Sequence, residues 1–233
     1  MAVSRSNRAG RKLALLAALA CLAGNAGAAM PGLYFSGFYM DSTLAYAEVD
    51  AGLAGFDRDL QALWTSDGFE IESWGSAISE TKDIGYVFSF GYLFSQYFSA
   101  EIGYADMGTV HYQAQGQVSD SQGTYSTQTF ASAKTKGPLL SAVAAWPLGD
   151  RFSLDARAGA FIGRTRVRAT ALISGIDLYG SRKNNTTTVM LGAGVNFALS
   201  PGTAIRVGYA RLSKAMVDDY DISSWMLGLK YAW

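Results

Sequence analysis

The chain has 233 residues, 49% hydrophobic and only 16% charged, with 26 glycines and 13% aromatics, a composition that excludes a disordered polypeptide. Lys+Arg and Asp+Glu balance at 19 each, so there is no electrostatic footprint for nucleic acid. One cysteine (Cys21) and one histidine (His111) exclude a disulfide framework, a zinc site and haem attachment, and no cofactor is expected.

At the start, Arg5, Arg8, Arg11 and Lys12 precede an apolar run from Leu13 to Ala23, followed by Ala26-Gly27-Ala28-Ala29. This is the order of a secretory signal peptide, cleaved after Ala28 or Ala29, which makes residues 1–28 the leader and 29–233 a single domain. The apolar run is shorter than the roughly 20 residues of a retained transmembrane helix. Cys21 lies inside it, and Ala18 stands where a lipoprotein signal has Leu. The leader takes four of the 19 basic residues and no acid, so the mature chain carries 15 Lys+Arg against 19 Asp+Glu, a net of minus four.

From Tyr34 to Tyr46 the side chains alternate with the period of a strand. Between Ala51 and Glu80 the alternation lapses into a Gly-rich acidic segment, which reads as a long loop with a short helix near Arg58 to Trp64. Strand two places Ile84, Tyr86, Phe88, Phe90, Tyr92 and Phe94 on one face, and after Ser95-Gln96 strand three places Phe98, Ala100, Ile102 and Tyr104 there. Strand four runs from about Lys136 to Trp146 and ends at the turn Pro147 to Asp150. Strand five sets Phe152, Leu154 and Ile162 against Asp155, Arg157 and Gly159. Strand six sets Val189, Leu191 and Val195 against Gly192 and Gly194. After the turn Ser200 to Gly202, strand seven carries Ile205, Val207 and Tyr209, and strand eight carries Trp225, Leu227, Leu229, Tyr231 and Trp233.

Eight strands thus alternate long loop with short turn. Their bulky residues share one face, and Asp41, Glu101, Asp155, Arg157, Arg206 and Lys230 share the face of small residues. A soluble barrel would put its bulk inward; a barrel in lipid reverses this. Tyr34, Phe94, Phe98, Trp146, Phe152, Phe197 and Trp233 lie toward the turns, and Tyr46, Tyr86, Tyr104, Tyr209 and Trp225 toward the loops, as two interfacial girdles would. Hairpin tips fall near Gly123, Gly175 and Asp218-Asp219, and the alternation beyond the girdles, through Tyr125, Thr127 and Thr129, points to strands that continue outside the membrane.

The last ten residues resemble the C-terminal assembly signal of bacterial outer-membrane barrels. Gly228, Tyr231 and Trp233 fit that signal, and Met226 stands where it has a polar residue. From Tyr34 to Trp233 the chain resembles the OmpA-type and OmpX-type family of eight-stranded outer-membrane β-barrel proteins. The resemblance implies an all-β fold: a transmembrane antiparallel up-and-down β-barrel in the outer membrane of a Gram-negative cell. It also implies dependence on the barrel-assembly machinery and periplasmic chaperones, and an interior network of paired charges. The chain ends at the barrel, so no peptidoglycan-binding domain is expected to follow.

An eight-stranded barrel is just wide enough for side chains, so the inward charges must be largely paired. The expected function is structural, serving envelope integrity and surface interaction, with a narrow gated ion channel as the alternative. Enzymatic barrels use His or paired carboxylates near the outer leaflet. Here His111 sits on the inward parity of strand three, with no neighbouring serine to activate, so no enzyme is expected. In the first long loop, Phe56, Trp64, Phe69 and Trp74 form a candidate surface for a host protein or glycan. Beyond Ile162, about eleven residues past Phe152, the outward positions become Arg164, Arg166 and Arg168, with Lys183 and Arg211 of the same parity on neighbouring strands. Cations at that height meet the phosphates of outer-membrane lipid, and the five residues are candidate lipopolysaccharide contacts.

Overall fold

The computed structural model describes residues 37–50, 61, 65, 68–173, 176–214 and 221–233. The leader lies outside these residues, as do Tyr34, Phe56, Trp64, Gly175, Asp218 and Asp219. The described elements are β1 (Gly37–Asp50), β2 (Glu70–Glu80), β3 (Lys82–Leu93), β4 (Phe98–Asp120), β5 (Gly123–Pro147), β6 (Phe152–Ile173), β7 (Ile176–Ser200), β8 (Thr203–Ser213) and β9 (Asp221–Ala232).

All pairings are antiparallel, and the ladder runs β4-β3-β1-β9-β8-β7-β6-β5 and returns to β4, closing a ring of eight staves. Closure joins β1 to β9: Asp41 is opposite Lys230 and Leu44 opposite Leu227, and the Trp233 N–H donates to Phe38 O at 3.2 Å. With no free edge in the ring, each stave at membrane depth has a hydrogen-bonded neighbour on both sides, as lipid requires.

The segment 51–80, expected to be a loop, contains β2. It pairs with β4 from Glu70 opposite Ser119 to Glu80 opposite His111, and Lys82 then opens β3 on the same partner. β2 and β3 are one stave broken at Thr81. The alternation is hidden in sequence because the register slips twice, between Ile71 and Ser73 and between Ile78 and Glu80. Of the expected helix, Gln61 is helical, as is Thr65 just past its end, and the remainder lies outside the described residues.

A second irregularity sits in β4. Its register to β5 shifts between Asp106 and Thr109, with Gly108 at φ 85°, a conformation that only glycine adopts cheaply. Asp106 accepts the Gly108 N–H at 3.1 Å, and Asp83 accepts the Thr109 N–H at 2.9 Å. The extra residue reverses the parity of the strand above it. Ala105 and Met107 face inward below the bulge; Val110, Tyr112 and Ala114 face inward above it. His111 is therefore outward and exposed, contrary to the inward position that uninterrupted alternation implies.

The outside of the ring is apolar. Phe38, Phe90, Ile102, Leu140, Leu154, Leu191, Val207 and Leu227 are all exposed, between Phe94, Phe98, Trp146, Phe152 and Trp233 at the turn end and Tyr46, Tyr86, Tyr104, Tyr209 and Trp225 at the other. In water such a surface would drive aggregation; in a bilayer it is the lipid-facing belt. β4, β5, β6 and β7 have 23, 25, 22 and 25 residues, about twice what a tilted strand needs to span. With β2 they continue past the belt as a five-stranded extension.

Candidate functional site

Inside the ring the charged residues gather toward the short-turn end. Arg157 is buried between two carboxylates: Nη1 is 3.1 Å from Glu101 Oε2, and Nη2 donates to Glu101 Oε1 and Asp41 Oδ2, each at 3.2 Å. Glu101 also accepts from Tyr39 OH at 2.6 Å and Ser141 Oγ at 3.3 Å, and Asp41 from Thr43 Oγ1 at 2.6 Å. Beside this group Arg206 grips Asp155 in a fork, Nε to Oδ1 at 2.9 Å and Nη2 to Oδ2 at 2.7 Å, while Asn196 donates to Asp155 Oδ1 at 2.8 Å. Three acids thus face two bases.

Five of the six expected interior charges are joined in these two clusters. Lys230 departs from the expected carboxylate pairing: its Nζ lies 3.8 Å from the centroid of the Tyr39 ring, a cation–π contact. The glycines of the interior face make room for these groups. A Cβ at Gly91 would fall 2.1 Å from Tyr39 Cζ, and one at Gly194 or Gly208 would fall 2.8 Å from the Arg206 guanidinium.

Above the charges the lumen turns apolar. Met107, Leu139, Phe161, Met190, Leu212, Ile222 and Met226 are buried in one cluster with Ala45, Val49 and Val87. Strand alternation alone does not predict this second layer, although the sequence carries its signal: Phe161, Met190 and Met226 are bulky residues on the face otherwise reserved for small and polar ones.

The outer surface has its own order above the lipid-facing belt. Cross-strand register sets Lys136, Arg164 and Asn185 in one row of β5, β6 and β7, and Lys134, Arg166 and Lys183 in the next row outward. His111, Ser132, Arg168 and Ser181 form a third. The structure brings together four of the five expected lipopolysaccharide contacts, Arg164, Arg166, Arg168 and Lys183, all exposed. It adds Lys134 and Lys136, which the linear sequence of β5 does not single out. Arg164 Nε donates to Asn185 Oδ1 at 3.1 Å, and Lys134 Nζ is 2.8 Å from Asp106. Arg211 does not join the rows: on β8 it binds Asp221, with Nε 3.1 Å from Oδ2, so its charge is already engaged.

Of the aromatics expected to form a surface patch in the first loop, Phe69 and Trp74 are described, and both are half-buried. They pack with Ile71, Tyr125 and Ala171 around Val118, and Trp74 also meets Tyr112 and Ala114. They hold the extension together rather than standing free. Ser132 lies directly opposite His111, a neighbour invisible in the linear sequence. The pair sits on an open sheet surface, with β2 beside His111 and β6 beside Ser132. Among the described residues no group of His, Cys, Asp and Glu could hold a metal ion.

The sequence matches the family described as OmpA-like transmembrane domain over residues 41–231. No curated protein matches it. Among solved structures, the attachment invasion locus protein Ail of Yersinia pestis, in complex with the heparin analogue sucrose octasulfate, is 18% identical with a TM-score of 0.43, covering 85% of this chain and 100% of that one. OprG from Pseudomonas aeruginosa is 11% identical with a TM-score of 0.49, covering 88% and 99%. The outer membrane protease OmpT from Escherichia coli is 9% identical with a TM-score of 0.47, covering 87% and 100%.

Proposed function

The chain belongs to the OmpA-like transmembrane domain family, and from that premise we propose that this outer-membrane β-barrel serves the envelope as a sealed, non-catalytic structural element with an outward interaction surface. The observation that carries the reading is the doubly closed lumen. A wide pore is sterically disfavoured in eight staves. Here the narrow interior is filled first by the Arg157 and Arg206 clusters and then by the apolar layer around Phe161 and Met190. Desolvation of an ion in that layer opposes conduction even if the charges below exchange partners.

Toward the outside, the partner that fits the rim is lipopolysaccharide. Arg164, Arg166, Arg168 and Lys183, with Lys134 and Lys136, form the basic rows immediately above the belt. A basic side chain facing lipid costs about 2 to 4 kcal/mol at the midplane but only about 0 to 1 near an interface, where Arg can engage phosphate in a bidentate fork. The extension above these rows supplies the surface that contact with a host protein or glycan would need.

The rival reading, a narrow gated channel, is separated by planar-bilayer recording of refolded protein. The expected outcome is the absence of reproducible openings. Single-channel openings abolished by neutralising Arg157 or Arg206 would replace the sealed barrel with a channel.

A further inference from the structure

Above the basic rows the outer face of the extension changes character within one register step. Phe130, Thr170 and Tyr179 occupy one row of β5, β6 and β7, with Gln113 opposite Phe130 on β4. Tyr179 is 81% exposed and Phe130 39%. Two aromatic rings therefore stand two strand spacings apart, about 9.5 Å, with the short Thr170 between them as the floor of a shallow cleft. The next row places Gln115 opposite Gln128, and the row beneath ends in Arg168 and Ser181. Planar apolar faces flanked by amide and hydroxyl groups suit a sugar ring, whose C–H faces stack on aromatics while its hydroxyls take hydrogen bonds in the plane.

We propose that the Phe130–Thr170–Tyr179 cleft binds the core sugars of the lipopolysaccharide whose phosphates the basic rows hold. The proposal rests on the lipopolysaccharide reading above and adds to it the part of the molecule that is read. The spacing supports this occupant. Four residue steps take the strand from Phe130 to Lys134, about 13 Å of chain and about 10 Å of height at the usual barrel tilt. That is the length of about two sugar rings, so a glycolipid anchored by its phosphates at Arg166 and Lys183, in the row of Lys134, carries its first sugars to the aromatic row without bending. A soluble glycan has no reason to need the two surfaces stacked in this order.

The test uses the full barrel refolded in phospholipid nanodiscs. Its probes are lipopolysaccharide bearing its core and lipid A without it, and retention of each is measured alongside heat-modifiable mobility to verify folding. Phe130→Ala with Tyr179→Ala should weaken retention of core-bearing lipopolysaccharide about tenfold, the scale of a lost stacking contact, and leave lipid A unchanged. Arg164→Gln with Arg166→Gln and Arg168→Gln should weaken both probes. Equal retention of core-bearing lipopolysaccharide by the aromatic variant and the parent, while the Gln variant loses it, would overturn the sugar cleft alone. Undiminished retention of lipid A by the Gln variant would overturn the phosphate reading beneath it, and the cleft with it. Loss of a soluble sulfated glycosaminoglycan, with lipopolysaccharide retained, would also overturn the proposal by assigning the cleft to an external glycan.

Discussion

At the scale of single residues, the burial of Arg157 makes its charge costly to remove. Replacing one member of a buried ion pair leaves the others uncompensated, typically at about 3 to 5 kcal/mol, whereas neutralising the whole group together is far milder. Arg157→Met should therefore lower the unfolding free energy obtained by urea titration of the folded barrel by an amount in that range, because Asp41 and Glu101 lose their shared partner. Adding Asp41→Asn and Glu101→Gln to the same variant should recover more than half of the loss. A triple variant no more stable than the single one would mean that packing, not charge, sets the cost. Outside the membrane, Asp221 accepts from Arg211 and from the Lys214 N–H, the latter at 2.9 Å, and the Arg211 hydrogen bond holds its carboxyl below the usual range. A depressed folded-state pKa means that the contribution is complete above the unfolded value of about 3.9 and fades as pH falls through the lower folded value. The pair is partly exposed, so the readout is local: the Lys214 amide proton should titrate with a midpoint below that of an ordinary aspartate. A midpoint at or above it would show that the staple does not form.

At the scale of elements, the bulge at Gly108 decides which face of β4 is wet. Its positive φ, and the Asp83 atoms that would lie 2.8 to 3.0 Å from any Cβ at this position, leave glycine as the fitting residue. Deleting Gly108 removes the extra residue and restores strict alternation, which turns Tyr112, Ala114 and Val118 outward and His111 inward. Each large apolar side chain so exposed forfeits about 1.5 to 3 kcal/mol of burial. The ring below pairs through Phe98 to Asp106 and is unaffected. Limited proteolysis should then clip the extension between β4 and β5 while the barrel keeps its heat-modifiable mobility; unchanged protection of the extension would refute the parity switch.

At the scale of the whole molecule, three environments are stacked along one axis: an ion-paired lumen, an apolar lumen, and an extension outside the membrane. The first and the third are visible in sequence, from charges on the small-residue parity and from alternation that outlasts a membrane span. The apolar layer is legible only in fragments, because Leu139, Phe161, Met190, Leu212 and Met226 come from five strands and look like isolated exceptions until the ring closes. The same separation explains the rim. Arg164, Arg166 and Arg168 announce themselves on one strand, whereas Lys134 and Lys136 belong with them only through the β5–β6 register.

What the sequence determined by itself was the fold class, the inward and outward sets of most strands, and the terminal strand as a transmembrane element. These follow from alternation, a property of each strand alone, and from a solvent that accepts bulk outward and charge inward. The tertiary structure decided that Glu70–Glu80 is half of a stave and that His111 faces out. It also decided that Arg211 is spent on Asp221, that Lys230 lies over Tyr39, and that Phe130 and Tyr179 share a row. Each of these depends on register between strands distant in sequence, and a single bulge, such as that at Gly108, changes register and the phase of alternation without leaving a mark on composition.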